Sequence, residues 1–183
     1  MVPPGNAQRP EAATQPDGNP QGAPGVQLST DDYAHLKQRN LLVPVLGADP
    51  STLVDTFNEG RAGGKKHEAT DILAPRGTEV LAVDDGTLVK LFYSVRGGNT
   101  IYEFDPSGTY CYYYAHLDGY ASGLTEGQAL RRGQVIGYVG TSGDAPANTP
   151  HLHFAIFKLG PEKQWWKGEP INPFPLLTGK AEQ

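Results

Sequence analysis

The sequence predicts a mainly β fold: a small antiparallel sheet core, arranged as a sandwich or half-open barrel, with one short helix on its N-terminal side. Three observations predict it. From Asp71 onward, short runs rich in Val, Ile, Tyr and Phe alternate with clusters of Gly, Asp and Pro. The runs are short and closely spaced, as in antiparallel sheets joined by tight connections. No strand–helix–strand alternation appears, which disfavours an α/β fold.

Taken in order, residues 1–28 carry Pro3, Pro4, Pro10, Pro16, Pro20 and Pro24 with hardly any large apolar side chain. Such a stretch buries too little surface to offset its ordering entropy, so it is expected to be a disordered linker. Residues 29–183 are then one domain, long enough for a sizeable core. Ser29-Thr30-Asp31-Asp32 supplies capping side chains for a helix through Arg39, with acidic residues in its first turn. A second helical turn is read over residues 51–55, just after Pro50. Strands follow at 79–83, 87–94, 100–104, 109–117, 134–139 and 152–159. Breaks such as Asp84-Asp85-Gly86 and Arg96-Gly97-Gly98-Asn99 separate them, the latter suited to a turn with positive φ. Gly137 and Gly140 mark a strand end where backbones approach closely. The stretch from Trp165-Trp166 to Leu177 is read as too proline-rich for a strand and as an apolar cover across the sheet.

Composition narrows the function classes. The chain of 183 residues has a net charge of −5, and no basic run exceeds Lys65-Lys66 or Arg131-Arg132, so nucleic acid is not an expected partner. No apolar run approaches the ~20 residues that cross a bilayer, and no signal-peptide core follows Met1. A Pro/Gly/Asn/Gln tail ahead of a folded domain reads as a tether. That favours the cell envelope, periplasmic or secreted, with the export signal or anchor outside this sequence. The single cysteine, Cys111, excludes an internal disulfide framework and a multi-cysteine zinc site, and is read as a small packed apolar group.

Four of the five histidines carry the chemistry. In His151-Leu152-His153, residues two apart on a strand share a face, so both imidazoles project together while Leu152 turns into the core. In His67-Glu68-Ala69-Thr70-Asp71, Gly63-Gly64 before and Pro75 after disfavour a helix. An extended reading puts His67 and Asp71 on one face and turns Glu68 away. The same alternation puts Tyr112, Tyr114 and His116 together, opposite Tyr113, Ala115 and Leu117. His35, on the helix, is read as solvent-facing. Two imidazoles and a carboxylate are a catalytic zinc set that leaves one position open to water. Two further imidazoles then remain to orient or deprotonate that water and to stabilise an oxyanion. Spacing alone does not say which of His151 and His153 binds metal.

These residues resemble peptidase family M23, the lysostaphin/LytM-type peptidoglycan endopeptidases. The resemblance runs over about residues 41–177, through His67-x-x-x-Asp71-Ile72, Ala74-Pro75-Arg76-Gly77-Thr78-Glu79-Val80, Asp85-Gly86-Thr87-Leu88-Val89, Tyr114-Ala115-His116-Leu117, Gly133-Gln134-Val135-Ile136-Gly137, Thr141-Ser142-Gly143 and Pro150-His151-Leu152-His153-Phe154. It implies one Zn2+ held by His67, Asp71 and His153, with His116 and His151 as the catalytic histidines. It also implies a small sheet core with long loops walling a groove, and an endopeptidase acting on the peptide cross-links of peptidoglycan. The competing reading is an inactive relative that binds cell wall or activates another hydrolase; degenerate relatives lose ligands or histidines, and this chain keeps all five.

One departure is Ala69, where the family has glycine; a methyl group is tolerated there if φ stays negative. The C-terminal stretch with Trp165-Trp166 is similar to a Gram-negative branch, which favours cross-links containing a diamino acid over pentaglycine. In the tyrosine run, Tyr112 and Tyr114 are assigned ahead of Tyr113 to line a groove, with core packing the competing reading for Tyr113.

Overall fold

The computed structural model describes residues 22, 23 and 25–181. The predicted linker therefore lies largely outside the described residues. At its C-terminal end Leu28 packs against the core, and Lys158 donates to the Gln27 carbonyl at 3.1 Å.

The fold is mainly β, as expected. Helix α1 (Thr30–Arg39) is followed by strands β1 (Thr70–Leu73), β2 (Glu79–Leu81), β3 (Gly86–Ser94), β4 (Gly98–Phe104), β5 (Tyr110–Tyr120), β6 (Ala129–Leu130), β7 (Val135–Val139), β8 (His151–Leu159) and β9 (Gly168–Ile171), then helix α2 (Phe174–Thr178). The nine strands form one open antiparallel sheet with the path β1-β8-β5-β4-β3-β6. Strands β1 and β9 both pair with β8, and β7 pairs with both β5 and β2.

Helix α1 starts where the capping residues lie: the Ser29 amide donates to Asp32 Oδ2 at 2.7 Å, satisfying an N–H at the helix start. Asp32 also accepts from the Tyr110 hydroxyl at 2.8 Å and from Lys158 Nζ at 3.0 Å, which fastens the helix to the sheet. The second helical turn is shorter than read: a 3-10 turn covers Pro50–Thr52, and Leu53 is already extended. Strands β1, β6 and β9 were not anticipated. The reading of Trp165 to Leu177 as strand-free is corrected at β9, which pairs with β8 alone. An edge strand tolerates Pro170 because one side of it needs no ladder donor. The remainder does act as a cover, with Phe174 and Leu177 buried in the core.

Alternation divides the sheet into two apolar layers. Leu152, Phe154 and Ile156 face the larger core with Tyr112, Tyr114 and Leu36 of α1. Ala155, Phe157 and Leu159 face a smaller one with Tyr102, Tyr113 and Ala115. His151 and His153 share the parity of this second face. Close backbone approach is seen at Gly140, where a Cβ would collide with the Asp118 backbone, and at Gly98, whose φ is 66° and where a Cβ would collide with Ser142.

Candidate active site

All five sequence-predicted residues converge on one groove, lined by His67, Asp71, His116, His151 and His153. The sheet register explains part of this. Asp71 of β1 is the direct cross-strand partner of His153 on β8, and His153 in turn is opposite Ala115 of β5. His151 sits one pleat along, opposite Leu73, with Leu152 turned into the core between them. The expected sharing of a face by His151 and His153 holds.

His67 lies before β1 in a hairpin-like loop, where its amide donates to the Glu59 carbonyl at 2.8 Å. The extended reading of residues 67–71 is corrected at Glu68, whose φ of 57° breaks the alternation. Glu68 consequently lines the groove instead of turning away. Ala69 keeps a negative φ and its methyl is buried, so the departure from glycine is absorbed without strain.

His116 required a second break. Its φ is 61°, a left-handed conformation costing on the order of 1–3 kcal/mol for a non-glycine residue. The β4–β5 register shifts between Asn99 and Ile101, opposite this residue. The bulge turns His116 onto the face of Tyr113 and Ala115. The reading that grouped His116 with Tyr112 and Tyr114 is thereby overturned. Those two rings are fully buried in the larger core, while Tyr113 lines the groove and meets His153 edge-on at 5.9 Å. His35 stays exposed on α1, as expected.

The three candidate ligands form a tight triangle. His67 Nε2 is 3.0 Å from His153 Nδ1 and 3.1 Å from Asp71 Oδ1, and His153 Nδ1 is 3.2 Å from the same oxygen. Ligands at ~2.0–2.1 Å from a tetrahedral centre lie ~3.3 Å apart, so the donor set fits zinc. The chemistry fits as well. His67 Nδ1 faces the Thr56 carbonyl at 3.0 Å, which can only accept, so the proton sits on Nδ1 and Nε2 presents a lone pair. Three electron-rich atoms crowded this closely suit a divalent cation.

Electrostatics favour ligand-competent protonation states. Burial alone would raise the Asp71 carboxyl, but the adjacent His153 and His67 imidazoles outweigh it and hold it far below the usual range. Burial pulls the His153 imidazole down to about 4 against the opposing pull of Asp71, so it is neutral at pH 7. The two remaining imidazoles are oriented alike. His116 Nδ1 donates to the Ser142 carbonyl at 2.8 Å, and His151 Nδ1 donates to the Thr149 carbonyl at 2.8 Å. In the neutral ring this bond fixes the tautomer that leaves Nε2 unprotonated. The rings are 5.0 Å apart, and His151 Nε2 is 3.8 Å from Asp71 Oδ1. Burial lowers the His116 pKa, only partly countered by its bond to Ser142.

Sequence reasoning missed three supporting residues. Thr56 braces both ends of the first motif: its hydroxyl accepts from the Asp71 amide at 3.2 Å and donates to the Ala69 carbonyl at 3.2 Å. Arg61 Nη2 lies 3.3 Å from Asp71 Oδ2. Ser142 orients His116, and its hydroxyl donates to the Leu117 carbonyl at 2.6 Å. Thr56 and Arg61 carry no local signal; Ser142 stood in a quoted motif with no role attached.

The model of "Peptidase family M23" matches residues 65–173. A curated relative, the L-Ala–D-Glu endopeptidase of Bacillus subtilis, is 37% identical over 152 residues, covering 79% of this chain and 45% of that protein. Among solved structures, the catalytic domain of the antimicrobial peptidase lysostaphin from Staphylococcus simulans superposes with a TM-score of 0.54 at 25% identity, covering 78% of this chain and 94% of that one. A zinc-containing peptidase from Vibrio cholerae gives a TM-score of 0.56 at 26% identity, covering 72% and 38%. The chain spans less than half the length of the curated relatives it matches.

Proposed function

The chain belongs to peptidase family M23, and from that membership we propose that it is a zinc metalloendopeptidase that hydrolyses peptide cross-links of bacterial peptidoglycan. One observation carries the reading: a donor triangle of zinc dimensions in a groove, flanked by two imidazoles each anchored through Nδ1 to a backbone carbonyl. The names of relatives, a peptidoglycan DD-endopeptidase and an L-Ala–D-Glu endopeptidase among them, support the substrate class. A cell-envelope site of action, periplasmic or secreted, follows from that substrate. Among the described residues no helix is long and apolar enough to cross a membrane.

His67, Asp71 and His153 hold the ion in this reading. When bound, zinc supplies Lewis acidity, acidifying a water and polarising a carbonyl. The chain's own residues do the rest. His116 and His151 each offer a neutral Nε2 that accepts a proton from the water attacking the scissile carbonyl and returns it to the departing amine. After accepting it, the imidazolium stabilises negative charge developing on the carbonyl oxygen. The Ser142 and Thr149 carbonyls hold both rings in the reactive tautomer, so no reorientation is needed before proton transfer. The inactive-module reading has no residue in its favour, since the chain retains His67, Asp71, His116, His151 and His153.

The test is digestion of purified sacculi with zinc-loaded protein, reading released muropeptides by mass spectrometry. Cleaved cross-links are expected from the native chain. The His116→Ala variant should lose about 10²–10⁴-fold in rate while retaining one zinc per chain. Uncleaved sacculi with a zinc-loaded, folded protein would refute the activity.

A further inference from the structure

The groove has one basic wall in a protein whose net charge is −5. The hairpin-like loop that delivers His67 is closed by a bridge between Gly60 and Lys66 and by the Arg61 amide donating to the Lys65 carbonyl at 2.7 Å. It presents Arg61, Lys65 and Lys66 to the groove. Among the described residues, the Lys65 ammonium makes no hydrogen bond or ion pair. Lys66 Nζ donates at 3.1 Å to Asn58 Oδ1, a neutral partner, and among the described residues it too makes no ion pair. Arg61 reaches from this wall to Asp71 at 3.3 Å and also lies 3.8 Å from Glu59, so the lysines carry the wall's unpaired charge. Across the groove the charges cancel instead, with Arg96 3.6 Å from Asp144. Glu68 is the acidic neighbour of the wall: it is half-buried, and burial raises its carboxyl while Lys66 and Lys65 pull it down from beyond ion-pair distance.

We propose that the wall carrying Arg61, Lys65 and Lys66 is a carboxylate subsite that selects acidic stem peptides over amidated ones. The inference rests on the peptidase reading above and deepens it. Anionic substrate running along the groove would place a free carboxylate, of the glutamate or of the diamino acid, within reach of two ammonium groups that make no ion pair among the described residues. Placing the charge on one wall also orients the peptide, because the opposite wall offers no net attraction to a carboxylate. Partly exposed pairs contribute modestly, so the selection amounts to a few-fold, not thousands.

The test uses three synthetic cross-linked stem peptides: both carboxylates free, glutamate amidated, and diamino acid amidated. Rates are read as kcat/KM on the zinc-loaded protein, and affinities are read by calorimetry with the matching uncleavable single-stem peptides. The native chain is expected to favour the free-acid form about fivefold in both readouts, with the advantage shrinking toward unity in ~0.5 M salt. Whichever amidated peptide loses the advantage identifies the carboxylate. The Lys65→Gln/Lys66→Gln variant, with native circular dichroism, should collapse the free-acid to amidated ratio to about one. Equal handling of free and amidated peptides by the native chain overturns the subsite, and so does a ratio that survives the double substitution. If no peptide is cleaved, the peptidase reading fails, while the calorimetric ratio still decides the subsite.

Discussion

Thr56 shows how much of the His67–Asp71–His153 triangle depends on a residue outside it. Its carbonyl sets the His67 tautomer and its hydroxyl ties the Asp71 amide to the Ala69 carbonyl. Replacing Thr56 by Val keeps the carbonyl and removes the hydroxyl. Zinc affinity should fall about tenfold, the lower end of such outer-shell effects, as measured by competition with a chromogenic chelator. His116 supplies a second prediction at this scale. In the proposed role its Nε2 accepts a proton only when neutral, so activity should be lost as pH falls through its pKa. Burial pushes that pKa down, so the acid limb of kcat/KM should lie below the ordinary histidine value of ~6.5. A pH–rate profile with its acid inflection above ~6.5 would contradict the assignment.

At the level of elements, β5 links the core to the groove. Its Tyr114 hydroxyl donates to Glu103 Oε2 at 2.6 Å and accepts from the Val83 amide at 2.9 Å, while two residues on the chain swings out to present His116. Glu103 on β4 is fully buried, and Oε1 lacks a hydrogen-bond partner among the described residues. Burial pushes its carboxyl up to about 8, despite the bond from Tyr114. The folded pKa lies above the unfolded value of ~4.3, so the folded chain retains a proton that the unfolded chain releases. Stability then falls as pH rises from ~4.3 to about 8 and levels off beyond. Glu103→Gln mimics the protonated form and should flatten this fall. Its melting temperature should exceed that of the native chain by several degrees at pH 8, and by little near pH 4.5, in thermal melts.

For the whole molecule, an open sheet with apolar layers on both faces separates stability from chemistry. The larger layer takes α1, α2 and the rings of Tyr112, Tyr114 and Phe154. The smaller layer lies under the groove, where Trp165 stacks edge-on against Tyr102 at 4.6 Å, Tyr102 meets Tyr113 at 4.8 Å, and Tyr113 meets His153 at 5.9 Å. Phe154 is one residue from His153 yet faces the opposite layer. Phe154→Ala should therefore cost about 3–5 kcal/mol in urea unfolding, the toll of a large core truncation. Saturating zinc should recover part of that loss by binding only the folded chain.

Local sequence already determined the antiparallel sheet, the capped helix, and the shared face of His151 and His153, because each depends on neighbours within a few residues. Period-two alternation holds wherever a strand is regular, so Leu152 in the core and His153 in the groove were readable from spacing. The same rule failed at Glu68 and His116, where left-handed backbone conformations are imposed by contacts distant in sequence: the Phe57 carbonyl accepts from Glu68 N–H, and the Gly97 carbonyl accepts from His116 N–H. That is why Tyr113, and not Tyr112 or Tyr114, ended up in the groove. Tertiary structure alone decided the pairing of Asp71 with His153, the brace at Thr56 and the basic wall. Each joins residues with no periodic relation, and β1, β6 and β9 are too short to register against their surroundings before their partners are in place.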